Sequence, residues 1–504
     1  MSNTKRIAKN TVVLYIRMVI VMLISLYTSR IVLKALGVSD FGLYNVVGGV
    51  VGLFGFLRVT IAGASQRFMN YEMVKEDGDV KSVFRSCWTI HIFITLIVIF
   101  LAETVGLWFL NTKVNIPEGR EFAANLIYQT TIASLCATII SIPLSAVIVA
   151  HENFKIYAFL SVFETLLKLG IAFLIMADNG DRLILYGILI MFASFLHFFI
   201  YLLYSAKKYS EVCLRILLDR GRFREIFSFV GWSMVGQIAI VGCNQGNSLL
   251  VNMFHSVIAN AAMTIGIQVN GAVVSLSSNF QAAFKPQITQ SFARNDFNYL
   301  KYLVYTTSKI SYCLLFVVAI PIMVNIDFIL DLWLEEVPVY SNIFCVLYLV
   351  NGILNALSEP LSFSIAASGR IKWFQITTAI VYLSDLIILY FLFRMGLPPA
   401  TAMWVKVSIM VVILFVRLYF SNNEVPSITI NSYFKHVLAP LLIVSIPCVA
   451  LAIVLSAFFD SLILRLVLTT VIFAFNICLV WYVALSKSER NSLLTMIKGK
   501  MKRK

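Results

Sequence analysis

The sequence predicts an all-α polytopic membrane protein with about fourteen transmembrane helices. Of its 504 residues, 60% are hydrophobic and only 13% are charged, whereas a soluble domain is about half apolar and about a quarter charged. Apolar runs of about 20 residues recur from end to end, and each can cross roughly 30 Å of hydrocarbon as a helix. No polar stretch is long enough to fold a soluble core, so one membrane domain is expected to fill the chain.

Short polar linkers separate the predicted helices, which favours antiparallel neighbours. Several helices are longer than the hydrocarbon requires, so they should tilt or extend beyond it. The first apolar run is too long for a signal peptide and lacks a small-residue cleavage site, so we interpret it as a spanning helix. The predicted spans are 11–34, 41–70, 83–109, 121–149, 152–176, 182–206, 224–254, 258–290, 300–325, 340–367, 371–394, 398–421, 434–457 and 461–486.

The chain is expected to divide at a basic cytoplasmic linker, 207–223, with six helices on either side. Val47–Leu53 in the second span resembles Asn270–Leu276 in the eighth, as expected of the internal repeats from which many transporters are built. With six helices in each, the repeats would be parallel and related by an axis along the membrane normal. The other predicted domains are an N-terminal six-helix lobe, 1–206, a C-terminal six-helix lobe, 224–421, and two extra helices with a basic cytoplasmic tail, 422–504.

The formal net charge of +15 would suggest nucleic-acid binding on a soluble protein. Here the Lys and Arg residues lie mostly at the ends of apolar runs, where topology requires them, so nucleic acid is not an expected partner. With both termini cytoplasmic, most of the 40 Lys and Arg residues fall on the inner side, as the positive-inside rule demands. Anionic lipid would attract the tail from Lys498 to Lys504, which makes membrane lipids expected partners.

The sequence contains no recognisable catalytic arrangement. It has no Gly-x-x-x-x-Gly-Lys-Ser/Thr phosphate loop, and its 8 cysteines and 5 histidines lack metal-ligand or redox spacing. A membrane glycosyltransferase or polymerase would usually need a sizeable loop outside the membrane, and the acidic loop at 325–340 is short. We therefore expect no enzyme, with no catalytic residue, no cofactor and no metal site.

Charges inside the predicted spans are informative, because each costs about 2.5–3.5 kcal/mol on the insertion scale unless it is paired or faces water. Arg17 lies shortly after the start of the first span, Arg30 near its outer end, and Arg58 midway along the second. Cations there suit an anionic head group such as a pyrophosphate, which a guanidinium binds with two hydrogen bonds. Snorkelling to the interface is the alternative, although Arg58 is too deep to snorkel easily. These three are the candidate substrate-binding arginines.

Ionisable residues also occur in other predicted spans. Glu164 and Lys168 are spaced i,i+4, which places them on one helix face in the favourable order, with Glu first. Glu359, Asp385 and Lys406 give the C-terminal half its own ionisable set. Carboxylates inside a membrane can relay protons, so these five residues are candidates for coupling to H⁺ or Na⁺. Structural ion pairs are the alternative.

Two predicted spans, 224–254 and 258–290, are unusually rich in side-chain amides. Amides at this density suit a wet cavity that recognises sugar hydroxyls, and Gln237, Asn244 and Asn270 are the candidates for that role. Alternatively, the amides only join helices, at about 0.6–2 kcal/mol per hydrogen bond. Other amides of these spans include Gln245, Asn247, Asn252, Asn260, Gln268, Asn279 and Gln281.

A more specific pattern surrounds the first two predicted spans. Its main part is Leu36-Gly37-Val38-Ser39-Asp40-Phe41-Gly42-Leu43-Tyr44, of the form Leu-Gly-x-x-x-Phe-Gly-x-Tyr, within a segment that begins at Lys9; Gln66-Arg67-Phe68 also fits. This pattern resembles the bacterial polysaccharide-export family. That family contains the Wzx-type flippases of lipid-linked oligosaccharides and belongs to the multidrug/oligosaccharidyl-lipid/polysaccharide (MOP) exporter superfamily. The plan of two six-helix halves plus two helices is similar to that of the lipid II flippases in the same superfamily.

The resemblance implies a multi-pass flippase of the bacterial inner membrane. It would translocate an undecaprenyl-pyrophosphate-linked repeat unit of O-antigen, capsule or exopolysaccharide by alternating access, with Arg17 and Arg58 lining a cationic cavity. A polysaccharide polymerase and glycosyltransferases of the same biosynthetic pathway would be its functional partners. The rival interpretation is a cation-coupled multidrug exporter of the same superfamily. It would require acidic residues in the N-terminal half, where the first two spans carry arginines instead.

Overall fold

A computed structural model of the protein describes residues 3–52, 55–113, 116, 118–178, 180–217, 219–255, 257–334, 337–458, 462–484 and 490. These residues form helices and no strand, and 12 of the helices are long and apolar enough to cross a membrane. The protein is therefore an all-α multi-pass membrane protein, as the sequence predicts. The last predicted span contains a shorter apolar helix, Thr469–Tyr482.

The chain forms two compact units. The N-terminal unit comprises residues 12–234, and the C-terminal unit comprises residues 1–11 together with 235–504. The basic linker predicted at 207–223 groups with the N-terminal unit. The predicted lobe boundaries at 206 and 224 remain a prediction.

Among the described residues up to 254 there are eight helices, and the first and the last of them cross the division between the two units. A π-helical turn, Ala102–Gly106, joins the third helix to the fourth. The eight helices are α1 (Asn3–Gly52), α2 (Gly55–Glu72), α3 (Val80–Leu101), α4 (Leu107–Lys113), α5 (Glu121–Ala150), α6 (Phe154–Ala177), α7 (Arg182–Lys208) and α8 (Arg220–Phe254).

The described part of the chain from residue 257 onward contains nine further helices, all in the C-terminal unit. Two π-helical turns, Phe434–Leu438 and Val480–Ala484, follow the seventh and the ninth of them. The nine helices are α9 (Val257–Ala293), α10 (Phe297–Val324), α11 (Ile326–Trp333), α12 (Ser341–Ser368), α13 (Lys372–Arg394), α14 (Thr401–Glu424), α15 (Ile430–Tyr433), α16 (Ala439–Phe458) and α17 (Leu462–Leu479).

The first helix, α1, is interrupted at Gly37, whose φ of 76° and ψ of 170° are not helical. Glycine adopts a positive φ at little cost because it has no Cβ atom. Helix resumes after this residue, so the first predicted span ends close to the break. The second predicted span, 41–70, falls partly in α1 and partly in α2, and residues 53–54 between them lie outside the described residues.

Short acidic residues set where α3 and α7 begin. Asp79 accepts a 2.9 Å hydrogen bond from the backbone N–H of Ser82, and Asp181 accepts one of 3.1 Å from Leu183. Each bond satisfies a first-turn amide that has no partner within its helix. These caps explain why both helices begin within a few residues of their predicted starts.

The π-helical turn after α3 is fixed by Tyr128 of α5, which is fully buried. Its hydroxyl donates a 2.7 Å hydrogen bond to the carbonyl oxygen of Ala102, which also accepts the backbone N–H of Leu107. A carbonyl oxygen has two lone pairs, so it can accept both bonds. A Cβ atom at Gly106 would collide with the Tyr128 hydroxyl, so the site requires glycine.

The basic linker is docked on α3 within the N-terminal unit. The guanidinium of Arg85 donates to the carbonyl oxygens of Arg215 at 3.2 Å and Ile216 at 3.4 Å. The backbone N–H of Leu217 donates to the hydroxyl of Thr89 at 3.1 Å. These three bonds explain why the linker groups with the N-terminal unit.

Each unit has its own apolar core. In the N-terminal unit, α1, α5, α6 and α7 contribute it, and in the C-terminal unit α8, α9, α12, α13 and α14 do. Core residues include Val47, Ile127, Ala172 and Leu183 in the first unit and Val251, Met263, Phe344 and Leu389 in the second.

Candidate functional site

Near the middle of α6, Glu164 contacts two basic side chains. Its Oε1 accepts a 2.7 Å hydrogen bond from Nζ of Lys168, which is the contact that the i,i+4 spacing predicts. Its Oε2 lies 3.5 Å from Nε2 of His197 on α7. The side chains of Glu164, Lys168 and His197 are 32%, 41% and 15% exposed. The group is therefore open on one side and is not sealed in the core.

Beside this group lies Arg17 of α1. Its guanidinium carbon is 4.9 Å from the ring centroid of Tyr157 on α6, where the face of the ring attracts a cation. Tyr201 is one turn from His197 on α7, with ring centroids 4.7 Å apart, and its hydroxyl is within electrostatic range of Arg17 and Glu164. The N-terminal cluster comprises these residues: Arg17, Tyr157, Glu164, Lys168, His197 and Tyr201.

The N-terminal cluster carries an excess of positive charge. Arg17 and Lys168 are cations, and Glu164 supplies the carboxylate. Nε of Arg17 is buried without a hydrogen-bond partner, so the guanidinium retains donor capacity. A guanidinium with an unused donor and an ammonium group on α6 suit a phosphate-like anion better than a cation.

The described side chains do not place the other two predicted arginines in the N-terminal cluster. Arg30 is exposed on α1. Arg58 belongs to α2 by its backbone, and its side chain lies outside the described residues. Of the three arginines, Arg17 is the one whose described side chain is linked to the Glu164–Lys168 group, through Tyr157 and Tyr201.

The segment that carries the family resemblance is held by arginines at the starts of α5 and α7. Arg120, which immediately precedes α5, is ion-paired with Asp40. Arg182 donates a 3.2 Å hydrogen bond to the carbonyl oxygen of Ala35, on the other side of the break at Gly37. The hydrogen bonds that Arg120 donates to Asp40 raise the pKa of Arg120 above its ordinary value, so this cation keeps its charge at physiological pH. The two arginines therefore fix both sides of the break in α1.

In the C-terminal unit, a second polar group surrounds Asp385 of α13, which is fully buried. Its Oδ2 accepts hydrogen bonds from the amide of Asn247 at 2.6 Å and from the thiol of Cys243 at 2.9 Å. Its Oδ1 has no hydrogen-bond partner. Lys406 of α14 is within electrostatic range of Asp385 and donates to Oδ1 of Asn244 at 2.5 Å. These five residues form the C-terminal cluster, in which two predicted ionisable residues meet a predicted amide.

Glu359 of α12 lies outside the C-terminal cluster and pairs with Arg417 of α14 at 3.1 Å. Arg417 also donates to the side-chain oxygens of Asn355 at 2.9 Å and Ser358 at 2.6 Å, and its side chain is 9% exposed. Sequence reasoning missed this residue, because an arginine near the inner end of a predicted span is typical of an interface anchor. The bonds to three side chains make it a tie between α12 and α14.

The two remaining amide candidates, Gln237 and Asn270, form no hydrogen bond with a charged side chain among the described residues. Gln237 is half-buried on α8. Asn270 lies against Gly352 of α12, where a Cβ atom would collide with its amide, and its Oδ1 is buried without a partner. Asn244 is thus the predicted sugar-binding amide that joins a charged group among the described residues.

His197 is the other functional candidate that sequence reasoning missed. Its one local signal is the i,i+4 spacing to Tyr201, which places both rings on one face of α7. Its partner Glu164 lies on a different helix, so the pairing depends on the packing of α6 against α7. Among the residues that the structure describes, no group of three or more His, Cys, Asp or Glu side chains could hold a metal ion.

Comparison with solved structures shows that this chain has the fold of the MATE transporters. The chain matches a crystal structure of a MATE mutant with a TM-score of 0.70 and 13% sequence identity, over 85% of this chain and 99% of that one. It matches an outward-facing multidrug resistance MATE family transporter of the MOP superfamily with a TM-score of 0.69, at the same identity and coverage. No family model and no curated protein matches the sequence.

A third neighbour is a MOP superfamily transporter from Pyrococcus furiosus, described as having a binding pocket of reverse polarity that suggests a different function. Its TM-score is 0.67 at 13% identity, over 85% of this chain and 99% of that one. At this identity the three neighbours establish the shared fold. The resemblance of residues 9–44 to the polysaccharide-export family is not confirmed by them and remains a proposal.

Proposed function

We propose that this protein is a membrane transporter whose solute is amphipathic and carries an anionic head group. In its specific form, the proposal is a flippase that translocates undecaprenyl-pyrophosphate-linked oligosaccharide across the bacterial inner membrane by alternating access. The observation that carries it is the N-terminal cluster, where Arg17 lies against Tyr157 of α6, the helix that also holds the Glu164–Lys168 pair. Cations outnumber carboxylates there, and a guanidinium binds phosphate oxygens through two parallel hydrogen bonds.

The predicted site residues take distinct roles in this proposal. Arg17 binds the pyrophosphate, and Arg30 and Arg58 add positive charge along its path. The amides bind sugar hydroxyls, and the ionisable residues of the C-terminal half couple the movement to H⁺ or Na⁺. A polymerase and glycosyltransferases of the same pathway supply and consume the substrate. The amides concerned are Gln237, Asn244 and Asn270, and the coupling residues are Glu359, Asp385 and Lys406.

A cation-coupled multidrug exporter is the second candidate. The fold comparisons favour it over the flippase, because one solved neighbour is a multidrug resistance MATE transporter. Asp385 also supports it, since a buried carboxylate with an unpartnered oxygen suits a cationic ligand. The positive excess in the N-terminal cluster supports the flippase instead.

Lipid extracts from cells that lack the protein separate the two functions. If the flippase proposal holds, a completed lipid-linked oligosaccharide accumulates and is shielded from a glycosidase added outside the cell. If the exporter proposal holds, no such intermediate accumulates, and the cells become sensitive to cationic dyes.

Charge-reversing variants then test the arginines in the same cells. Arg17→Glu and Arg58→Glu are expected to abolish export, because a carboxylate repels pyrophosphate. Lys155→Gln is the control, since Lys155 is exposed at the start of α6 and is not one of the six residues of the N-terminal cluster. Full export by Arg17→Glu would remove the proposed binding role of this cluster.

A further inference from the structure

His197 joins the anionic and aromatic parts of the N-terminal cluster. Its Nε2 faces Oε2 of Glu164 at 3.5 Å, and its Nδ1 is buried without a hydrogen-bond partner. A neutral imidazole with its hydrogen on Nε2 keeps a lone pair on Nδ1. His197 can therefore accept a proton at Nδ1 without breaking a hydrogen bond, on the helix next to the one that holds the Arg17–Tyr157 contact.

The charged groups around His197 determine how readily its imidazole binds a proton. Glu164 of α6 contacts it at 3.5 Å, Lys168 of α6 acts on it through its charge, and Arg17 of α1 acts through its charge on the neighbouring Tyr201. On α5, which also packs against α7, the one charged residue is Glu121, at the first position of the helix. The titratable Tyr128 and Cys136 of that helix belong to the apolar core.

Protonation of His197 changes the charge balance of this cluster. Glu164 has two carboxylate oxygens: Oε1 accepts the hydrogen bond from Lys168, and Oε2 faces His197. The carboxylate therefore offsets the imidazolium while it keeps its bond to Lys168. The bound proton comes from water, no other bond is broken, and the cluster gains one positive charge.

We propose that His197 is the proton-binding group of the N-terminal cluster and that its protonation strengthens the binding of an anionic head group at Arg17. The identity of the anion rests on the proposed flippase function; the proton site does not. Coupling between two binding events is reciprocal. If protonation of His197 strengthens binding of the anion, the bound anion must equally strengthen binding of the proton to His197. The proton and the anion therefore bind together here and do not compete. Any exchange of a proton for the solute has to take place at other residues.

The proton site is tested on the purified full-length protein with isotope-labelled histidines, followed by NMR between pH 5 and pH 9. The His197 resonance is assigned by its loss in His197→Gln. We expect it to titrate in this range, and we expect Glu164→Gln to bind fewer protons at pH 6, because the counter-ion is gone. A His197 ring that stays neutral down to pH 5 would overturn the proposal.

The coupling is tested by the affinity for a short-chain prenyl pyrophosphate at pH 6 and pH 8. Protonation of the probe itself affects every variant alike, so the readout is the difference between variants. The ratio of the affinity at pH 6 to the affinity at pH 8 should be at least about fivefold larger in wild type than in His197→Gln. A factor of about five is at the low end of typical couplings between two sites. His436→Gln, at an exposed histidine bonded within its own turn, should behave as wild type.

The two possible failures are distinguishable. An equal pH dependence in wild type and His197→Gln overturns the coupling even if the probe binds well. A probe that binds at neither pH counts against the flippase function and against anion binding at Arg17, whatever the titration of His197 shows.

Discussion

Arg120 is ion-paired with Asp40, although the two residues are 80 positions apart in the sequence. The pair joins the start of α5 to the segment that follows the break in α1. Both side chains are partly exposed, at 30% and 17%, so the interaction should contribute about 1 kcal/mol rather than the several expected of a sealed pair.

A double-mutant cycle measures this contribution. Asp40→Asn and Arg120→Gln should each lower the midpoint of thermal unfolding in detergent, and the double variant should be less destabilised than the sum of the two. Asp331→Asn, at an exposed position of α11, is the control. A coupling energy of zero would mean that Asp40 does not hold the break.

The π-helical turn gives a second prediction. Gly106→Ala should destabilise the protein by about 1–3 kcal/mol, because the new Cβ collides with the buried Tyr128 hydroxyl. Tyr128→Phe removes that oxygen, so adding it to Gly106→Ala should cost less than it does in wild type. Thermal unfolding of the four proteins checks this. Strict additivity would show that the clash is relieved elsewhere.

The third prediction concerns the buried carboxylate of the C-terminal unit. Asp385→Asn keeps the shape of the side chain but removes the charge that faces Lys406. We expect solute export to fall by at least about tenfold while the protein still reaches the membrane, as for other intramembrane ionisable residues with a coupling role. Asp327→Asn, at an exposed position of α11, should export normally. Unimpaired export by Asp385→Asn would assign the C-terminal cluster a structural role.

A single cysteine tests the membrane topology. Cys213 lies in the basic linker and is partly exposed, whereas Cys478 is exposed on α17, where hydrocarbon would cover it. A membrane-impermeant maleimide should therefore label Cys213 in inside-out vesicles and not in intact cells. Cys213→Ser is the control that should lose the label. Labelling in intact cells would reverse the predicted orientation.

Much of the helical plan could be predicted from the sequence, because hydropathy directly reports the length of a spanning segment. Predicted spans 121–149 and 182–206 differ by only one or two residues from Glu121–Ala150 and Arg182–Lys208. The boundary between the first two spans is harder to predict from hydropathy. A single glycine with positive φ interrupts α1 there, and apolar periodicity does not distinguish such a break from a loop.

The candidate sites could be predicted less completely. Glu164 and Lys168 are neighbours on one helix, so their spacing alone predicts their contact. His197 and Arg417 acquire their partners from other helices, and Cys243 and Asn247 meet Asp385 across more than a hundred residues of sequence. Which face of each helix is turned toward which neighbour depends on packing, and the sequence pattern does not report it.

The docked linker has a consequence for how this protein can change through evolution. Arg85 recognises the peptide carbonyl groups of residues 215 and 216 and not their side chains, and every amino acid has such a carbonyl. Substitutions at these two positions can therefore retune the electric charge of this surface while the docking is kept. Arg85 itself cannot be substituted in this way, because its guanidinium donates both hydrogen bonds. We therefore expect the linker sequence to vary more than position 85 of α3.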